Sequence, residues 1–336
     1  MKKIIVLILV LALFIPTSNV FAAENTHVEA PSVEKDFKYI KYDLGSQTKS
    51  LIKNENPTKL GDKPFISQGK IGYGELEKVN LEDFKSPNKT WVDPLTGEEL
   101  NNQIKPFEVI GSDGRQKVIS TASMPYRALT YIQFENLFNA WSCSGGVIAQ
   151  DLVVTNAHCV TEADILVGTV FPGLNDSTYS YGYYTITEII YPEQWTSTNG
   201  SSDYDYAILR VSTDSSGNHI GNRAGILSWQ EAGTINANSI LSTYGYPGDK
   251  MEETGLVSMW GMEGRSDSYI HSNLFFHNMD TFGGQSGSPI LNMYHRMIAV
   301  HNGSYTLTAN NTSRLVNGGP KIRRDFTNLY NLMLNN

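Results

Sequence analysis

The sequence predicts an all-β domain that ends in a helix and is made as part of a larger precursor. Three observations support this: an apolar amino terminus, a change in charged residues near Val109, and many short strand-like runs after that residue. Runs of about four to eight β-branched and aromatic residues, separated by Gly, Asn, Ser and Pro, are typical of a β-barrel or a β-sandwich. The clearest runs cover residues 129–134, 146–149, 152–155, 185–191, 206–211, 239–244, 274–277, 288–291 and 297–301.

The amino terminus has the form of a secretory signal peptide. Lys2 and Lys3 precede an apolar run from Ile4 to Ile15, and small residues lead up to Ala22. The apolar run is shorter than the roughly 20 residues that a membrane-spanning helix needs. We expect residues 1–22 to be removed and the protein to be secreted, extracellular and free of the membrane.

The segment 23–108 differs in composition from the rest of the chain and is predicted to be a propeptide. Its basic residues are all lysines, whereas every arginine of the sequence lies after Val109. Its periodicity is weak, and turn sequences such as Gly61-Asp62-Lys63-Pro64 interrupt it. The mature domain is then predicted to comprise residues 109–336.

The charge and the cysteines narrow the classes of function. The chain has a formal net charge of −8, and no cluster of lysine or arginine could neutralise a phosphate backbone, so nucleic acid is not an expected partner. Cys143 and Cys159 are the two cysteines, and export favours a disulfide between them. Two buried free thiols are the alternative. Two cysteines without a histidine pair at zinc-finger spacing predict no metal site.

The carboxyl terminus has helical periodicity. Pro320 follows Gly318-Gly319, a position suited to the first turn of a helix. We therefore predict a C-terminal helix over about residues 320–334. The apolar residues at three- and four-residue steps are Ile322, Phe326, Leu329, Tyr330 and Met333.

A serine flanked by glycines is the strongest chemical motif. It reads Gly283-Gly284-Gln285-Ser286-Gly287-Ser288-Pro289. A serine hydroxyl attacks well only when a base takes its proton, and the attacked carbonyl oxygen needs hydrogen-bond donors. The glycines would let the amides of Gly284 and Ser286 point toward one spot. Taken alone, the motif also fits a Gly/Ser-rich hairpin loop.

A histidine and an aspartate complete a possible catalytic set. His158 follows the apolar run 152–155, and Asp205 precedes the run 206–211. Each residue alone is ordinary, but the order His, Asp, Ser is that of the chymotrypsin triad, whereas subtilisins run Asp, His, Ser and α/β-hydrolases run Ser, Asp, His. The α/β-hydrolase motif also requires glycine where Ser288 stands.

With these residues the chain resembles the bacterial glutamyl endopeptidases, secreted serine proteases that cut after glutamate. The resemblance implies a chymotrypsin-like double six-stranded β-barrel with the C-terminal helix, and it extends over nearly all of residues 109–336. The matching segments are Val109-Ile110-Gly111-Ser112-Asp113, Cys143, Thr155-Asn156-Ala157-His158-Cys159, Asp203-Tyr204-Asp205-Tyr206-Ala207, Gly245-Tyr246-Pro247-Gly248-Asp249-Lys250, Asp280 to Pro289, and Ala299-Val300-His301.

The resemblance implies a role for each matching residue. His158 would be the general base, Asp205 its orienting partner and Ser286 the nucleophile, with the amides of Gly284 and Ser286 as the oxyanion hole. Asp203 is the alternative to Asp205, because both have the same strand parity. No cofactor is implied, and the enzyme would act as a monomer on protein or peptide substrates.

Specificity for glutamate is also an implication of the resemblance. Thr281 and His301 would bind the carboxylate of the substrate residue before the cleaved bond (P1), because a half-buried carboxylate needs donors. Cleavage after Glu108 would release Val109, whose new amino terminus approaches the P1 pocket in some family members. Another protease could also remove the propeptide.

Two other functions stay open at this stage. Asp280 lies six residues before Ser286, where trypsin-like enzymes place the acid that binds Arg or Lys, so basic or broad P1 specificity is the alternative. We expect the Asp280 carboxylate to be engaged in hydrogen bonds instead. A protease-like binding or toxin-type protein is the other class. His271 and His277 lie outside any metal-binding frame and are expected at a strand surface.

Overall fold

A computed structural model describes residues 37–55, 57–58, 63–72, 74, 79–81, 89–94, 109–161, 164–309 and 312–335, and the backbone of 20–22. Most of the predicted signal peptide and the predicted cleavage residue Glu108 lie outside these residues. Within them, no helix is long and apolar enough to cross a bilayer.

The described residues form mainly short strands. The strands are β1 (Val20–Ala22), β2 (Lys38–Asp43), β3 (Thr48–Lys53), β4 (Ile66–Ser67), β5 (Val79–Asn80), β6 (Thr90–Trp91), β7 (Gln116–Lys117), β8 (Leu129–Glu135), β9 (Asn139–Val147), β10 (Leu152–Thr155), β11 (Val167–Pro172), β12 (Thr178–Tyr179), β13 (Tyr184–Pro192), β14 (Ala207–Val211), β15 (Trp229–Gln230), β16 (Ile240–Gly245), β17 (Trp260–Arg265), β18 (Leu274–His277), β19 (Pro289–Asn292), β20 (Met297–Val300), β21 (Gly303–Ala309) and β22 (Thr312–Pro320). The helices are α1 (His158–Thr161), α2 (Glu193–Ser197), α3 (Ile220–Arg223), α4 (Gly248–Thr254), α5 (Arg324–Asn335) and the 3-10 turns Tyr126–Ala128 and Ser202–Tyr204.

The first barrel is a closed ring of six strands. Its order is β11-β8-β9-β10-β14-β13, and β13 pairs back onto β11. The closure is short, covering two residue pairs of β11 and β13, and the apolar side chains inside the ring are buried. Large aromatic side chains fill its interior, with Phe134 stacked on Trp141 at 5.8 Å between ring centroids.

The second barrel is closed by fewer hydrogen bonds. The strands β17, β16, β19 and β20 pair in that order, and β18 pairs with β22. Two isolated bridges, Ser266 with His277 and Ala299 with Lys321, join these two groups into a six-stranded ring. The all-β double barrel predicted from the sequence is therefore present.

The C-terminal helix is confirmed, although it begins later than predicted. Helix α5 covers Arg324–Asn335, and Phe326 and Tyr330 pack edge-on against Trp229. The residues Gly318–Pro320 instead pair with β18 as the end of strand β22. Pro320 is therefore the last residue of a strand, because it and the two glycines before it pair with β18.

The predicted propeptide is more ordered in its described parts than its weak periodicity indicates. Strand β2 extends the first barrel by pairing with β13, β4 pairs with β15, and β6 pairs with β9. Tyr39 is completely buried, and its hydroxyl donates to the carbonyl oxygen of Asp325. This segment therefore covers strand edges of both barrels.

Candidate active site

The loop that carries Ser286 has a backbone conformation that requires glycine on both sides. Gly284 has a φ of +94° and Gly287 a φ of +89°. A Cβ atom on Gly284 would lie 2.5 Å from the carbonyl oxygen of Tyr246, and one on Gly287 would lie 2.1 Å from that of Ser144. Both glycines therefore satisfy a left-handed backbone and a close approach at once. The sharp turn leaves Ser286 half-buried between them.

The two amides predicted to form an oxyanion hole donate to none of the residues that the structure describes. The carbonyl oxygen of Gly283 accepts a hydrogen bond of 2.7 Å from the amide of Gly248. Because the C=O and N–H of a trans peptide point in opposite directions, the amide of Gly284 points away from Gly248. The amide of Ser286 is likewise without a described acceptor, so both donors are available to a ligand.

Ser144 attaches this loop to the first barrel. Its amide donates to the carbonyl oxygen of Ser286 at 2.7 Å. Its hydroxyl donates to the carbonyl oxygen of Gly284 at 2.8 Å and accepts from the amide of Tyr246 at 2.9 Å. One buried residue thus fixes the loop at two positions.

His158 and Asp205 meet where β10 ends and β14 begins. These strands are antiparallel, and Thr155 lies opposite Ala207. The residues just beyond this pair therefore reach the same end of the barrel. Nδ1 of His158 and Oδ2 of Asp205 are 2.8 Å apart, and both side chains are buried.

The carboxylate of Asp205 receives two further hydrogen bonds. The amide of His158 donates to Oδ1 at 2.9 Å, and Nδ2 of Asn302 donates to Oδ2 at 3.1 Å. The hydroxyl of Tyr305 donates to Oδ1 of Asn302 at 2.6 Å and so fixes the orientation of this amide. Neither Asn302 nor Tyr305 was predicted from the sequence. The signal available was their closeness to His301, which Asn302 follows directly and Tyr305 follows by four residues.

Asp203, the alternative acid, lies apart from this pair. Its Oδ2 accepts a hydrogen bond of 2.7 Å from Nδ2 of Asn273. Asp205, and not Asp203, contacts the imidazole. The geometry therefore favours Asp205 as the acid of the set.

The disulfide between Cys143 and Cys159 is present and joins the histidine to the serine loop. Cys159 follows His158, and Cys143 precedes Ser144, whose amide donates a hydrogen bond to the carbonyl oxygen of Ser286. The same cysteines and His158 form the one described cluster of potential metal ligands. The sulfurs are bonded to each other, so they are not free thiolates for a metal.

The predicted specificity residues are buried polar groups with unused hydrogen-bonding atoms. Oγ1 of Thr281 and Nδ1 of His301 are enclosed, and neither has a partner among the described residues. Burial, with a smaller contribution from the His158 ring, lowers the pKa of His301 to about 3. His301 is therefore neutral at physiological pH.

The expected surface position of His277 is wrong. Its side chain is completely buried in β18, its ring centroid lies 5.7 Å from that of His301, and burial lowers its pKa well below the usual value. His271 is half-buried and accepts hydrogen bonds at Nδ1 from the amides of Asn273 and Leu274. The sequence could not show that β18 closes the second barrel and so encloses His277.

Asp280 is engaged by backbone amides, as expected. Its carboxylate accepts hydrogen bonds from the amide of Ile110 at 2.8 Å and from that of Gly114 at 2.7 Å. The preceding residue, Val109, is half-buried. Both oxygens of this acid therefore accept hydrogen bonds from the segment that follows Val109.

Comparisons with known proteins agree with this architecture. The Trypsin family model matches residues 115–318. The chain is 34% identical to a glutamyl endopeptidase of Bacillus licheniformis over 54% of this chain and 54% of that protein. It is 32% identical to a protein named extracellular metalloprotease of Bacillus subtilis over 64% and 69%, and 30% identical to glutamyl endopeptidase of Staphylococcus aureus over 62% and 59%. The chain thus spans about half to two thirds of the length of these relatives.

Solved structures show the same fold. A structure described as Glu endopeptidase in complex with MPD matches with a TM-score of 0.59 and 36% identity, over 67% of this chain and 99% of the other. The protease Anisep from Arthrobacter nicotinovorans matches with a TM-score of 0.52 and 19% identity, over 65% and 98%, and supports the fold alone. The double barrel is chymotrypsin-like, and the chain belongs to the trypsin family of serine proteases.

Proposed function

We propose that the chain is the precursor of a secreted serine endopeptidase that cleaves preferentially after glutamate. The observation that carries the proposal is the buried His158–Asp205 hydrogen bond at the barrel end, beside a Ser286 loop with two available amides. In this precursor, residues 1–22 are the signal peptide, 23–108 the propeptide and 109–336 the mature domain. The mature enzyme acts extracellularly as a monomer.

The proposed chemistry is acyl transfer through a covalent intermediate. His158 takes the proton of the Ser286 hydroxyl as its oxygen attacks the scissile carbonyl carbon. The amides of Gly284 and Ser286 stabilise the negative oxygen of the tetrahedral intermediate. His158 then donates the proton to the leaving amine, and water repeats the two steps on the acyl-enzyme. Asp205 holds the imidazole in one tautomer and stabilises its cation.

The two enclosed polar atoms of Thr281 and His301 support recognition of glutamate. A buried hydroxyl or ring nitrogen without a partner is costly, and a substrate carboxylate would supply the missing acceptor. The single N–H of the neutral ring is used in a hydrogen bond to the backbone of Gly318, so His301 would take up a second proton at Nδ1 when the carboxylate binds beside it. Three of the relatives described above carry glutamyl or Glu endopeptidase in their names.

The proposed maturation step is cleavage between Glu108 and Val109. A glutamate precedes this bond, so the enzyme could process its own precursor. The amide of Ile110 donates a hydrogen bond to the carboxylate of Asp280, which keeps the amino-terminal segment close to the pocket. The amino group of Val109 is proposed to contribute positive charge to the binding of the substrate carboxylate.

Labelling by an organophosphate tests the nucleophile and the enzyme class together. In the processed wild-type protein, the reagent should modify Ser286 and abolish hydrolysis of a peptide with Glu at P1. Ser286→Ala should be neither labelled nor active, and it should remain folded. Labelling of Ser286 without hydrolysis of any peptide would contradict the endopeptidase proposal and favour a protease-like binding protein.

A further inference from the structure

Arg115 is a buried arginine that joins the amino-terminal segment of the proposed mature domain to the Ser286 loop. Its side chain has no exposed surface. The guanidinium donates to both carboxylate oxygens of Asp113 at 2.9 Å and contacts both oxygens of Asp249. Nη1 also donates to Oε1 of Gln285 at 3.3 Å. A single side chain therefore contacts three separate elements.

On the loop side, Arg115 holds the turn that directly precedes the serine. Oε1 of Gln285 also accepts from the amide of Phe282 at 3.0 Å, and the amide of Gln285 donates to the carbonyl oxygen of Phe282 at 2.9 Å. The guanidinium carbon lies 5.8 Å from the centroid of the Phe282 ring. Arg115 therefore contacts both ends of this turn.

Arg115 also contacts Asp249 near the start of α4, where the backbone orients one proposed oxyanion donor. Asp249 is the second residue of α4. The first residue, Gly248, donates its amide to the carbonyl oxygen of Gly283 and so turns the amide of Gly284 away from the helix. A displacement of Asp249 would loosen this hydrogen bond.

We propose that Arg115 is a positioning residue for the oxyanion hole, fixing the Gly283–Gly284 peptide through Asp249 on one side and Gln285 on the other. The inference rests on the proposed function, since it assigns a role in the same reaction. Arg115 acts through these residues, and its effect belongs to the chemical step rather than to substrate binding.

Arginine suits this position because of its planar fork of donors. A guanidinium can bind two carboxylates and a carbonyl oxygen in fixed directions, whereas a lysine ammonium is a point charge on a flexible stem. Lysine would keep the charge between Asp113 and Asp249 but could not also fix Gln285. The charge and the geometry can therefore be separated experimentally.

The test compares Arg115→Met, Arg115→Lys and Asp249→Asn with the wild type. Each precursor is processed by immobilised wild-type enzyme, its mature amino terminus is confirmed, and its active sites are titrated to completion. We expect kcat for a peptide with Glu at P1 to fall about 10- to 100-fold in Arg115→Met, less than the roughly 100- to 1,000-fold loss that follows complete removal of an oxyanion donor. KM should stay within about twofold, and Arg115→Lys should restore only part of kcat.

A double-mutant cycle tests the connection through Asp249. If Arg115 and Asp249 act on the same peptide, Arg115→Met with Asp249→Asn should lower kcat no further than Arg115→Met alone. Losses that multiply would contradict the proposed connection. If Arg115→Met folds poorly, Asp249→Asn alone still tests the proposal, because its kcat should fall while its KM stays unchanged.

Arg210→Met is the matched control, since Arg210 also joins two carboxylates, those of Asp151 and Glu188, on the first barrel. Its kcat per active site should equal that of the wild type. An unchanged kcat in Arg115→Met, or a rise in KM alone, would overturn the role of Arg115. Wild-type enzyme that hydrolyses no peptide would instead refute the proposed function.

Discussion

At the scale of single residues, the site combines charged groups that are fully paired with neutral polar groups that are not. Asp205 accepts three hydrogen bonds, from two groups of His158 and from Asn302. His301 and Thr281, in contrast, keep enclosed atoms without a described partner. The first arrangement fixes the orientation of the imidazole, and the second fits the proposed binding of a substrate carboxylate.

Removal of the Asn302 amide should slow the chemical step. Asn302→Ala deletes a charge-assisted hydrogen bond to Asp205, a type of bond whose net contribution is about 1.5 to 3 kcal/mol. We expect kcat to fall about tenfold or more, with KM nearly unchanged, in steady-state assays of a peptide with Glu at P1. Tyr305→Phe leaves the Asn302 side chain in place but frees its orientation, so it should cause a smaller loss. An unaltered kcat in Asn302→Ala would show that the hydrogen bond does not support catalysis.

His301 should make the fold less stable in acid. Its pKa is lowered in the folded protein, so below its ordinary pKa of about 6.5 the unfolded chain binds a proton that the folded chain does not. The free energy of unfolding should therefore decrease from about pH 6.5 toward pH 3, by at most about 1.4 kcal/mol per pH unit from this residue.

Urea unfolding in a Ser286→Ala background measures this effect without self-digestion. Adding His301→Gln should flatten the pH dependence between pH 6 and 4, although His277 acts in the same direction and keeps part of it. Identical slopes with and without His301 would contradict a neutral, buried imidazole at this position.

At the scale of elements, the short connections between strands carry the residues proposed for catalysis. The Ser286 loop lies between β18 and β19, and His158 begins α1 directly after β10. Glycines at positive φ and the disulfide hold these connections in place. Substitution of a glycine and removal of the disulfide test how far each restraint matters.

Gly287→Ala should be much more harmful than an alanine at another left-handed glycine. Gly217 has a φ of +79°, and no atom lies within 4 Å of the place that a methyl group would take, so Gly217→Ala should cost only about 1 to 2 kcal/mol for the backbone strain. At Gly287 the methyl group would also lie 2.1 Å from the carbonyl oxygen of Ser144. We expect lower thermal stability and loss of activity, and equal effects of the two variants would refute the steric argument.

Loss of the disulfide should lower both stability and activity. Cys143 and Cys159 are 16 residues apart, and closing a loop of this length contributes about 3 kcal/mol in the chain-entropy model. The double variant Cys143→Ala with Cys159→Ala should show this decrease in urea unfolding of the Ser286→Ala protein. In the active background kcat should fall, because the link between His158 and Ser144 is gone. A variant with the stability and the kcat of the wild type would show that the disulfide supports neither the fold nor the site.

At the scale of the whole molecule, the sequence predicted what depends on local pattern and missed what depends on distant contacts. Strand-like runs predicted an all-β domain, and helical periodicity predicted the C-terminal helix. Two cysteines in an exported chain predicted the disulfide, and the family resemblance implied the double barrel. Arg115 contacts Gln285, which lies 170 residues away in the sequence, and Asn302 contacts Asp205, which lies 97 residues away. No local motif encodes contacts between residues so far apart. The late start of α5 has the same origin, since pairing with β18 retains Pro320 in a strand.

The proposed glutamate specificity is tested most sharply by the preference of the processed enzyme among matched peptides with Glu, Asp, Arg or Phe at P1. We expect kcat/KM to be highest for Glu, and we expect His301→Gln to lower it for the Glu peptide while sparing acylation by small esters. Preference for Arg would contradict the proposed pocket and would mean that Asp280, rather than His301, binds the P1 side chain of the substrate.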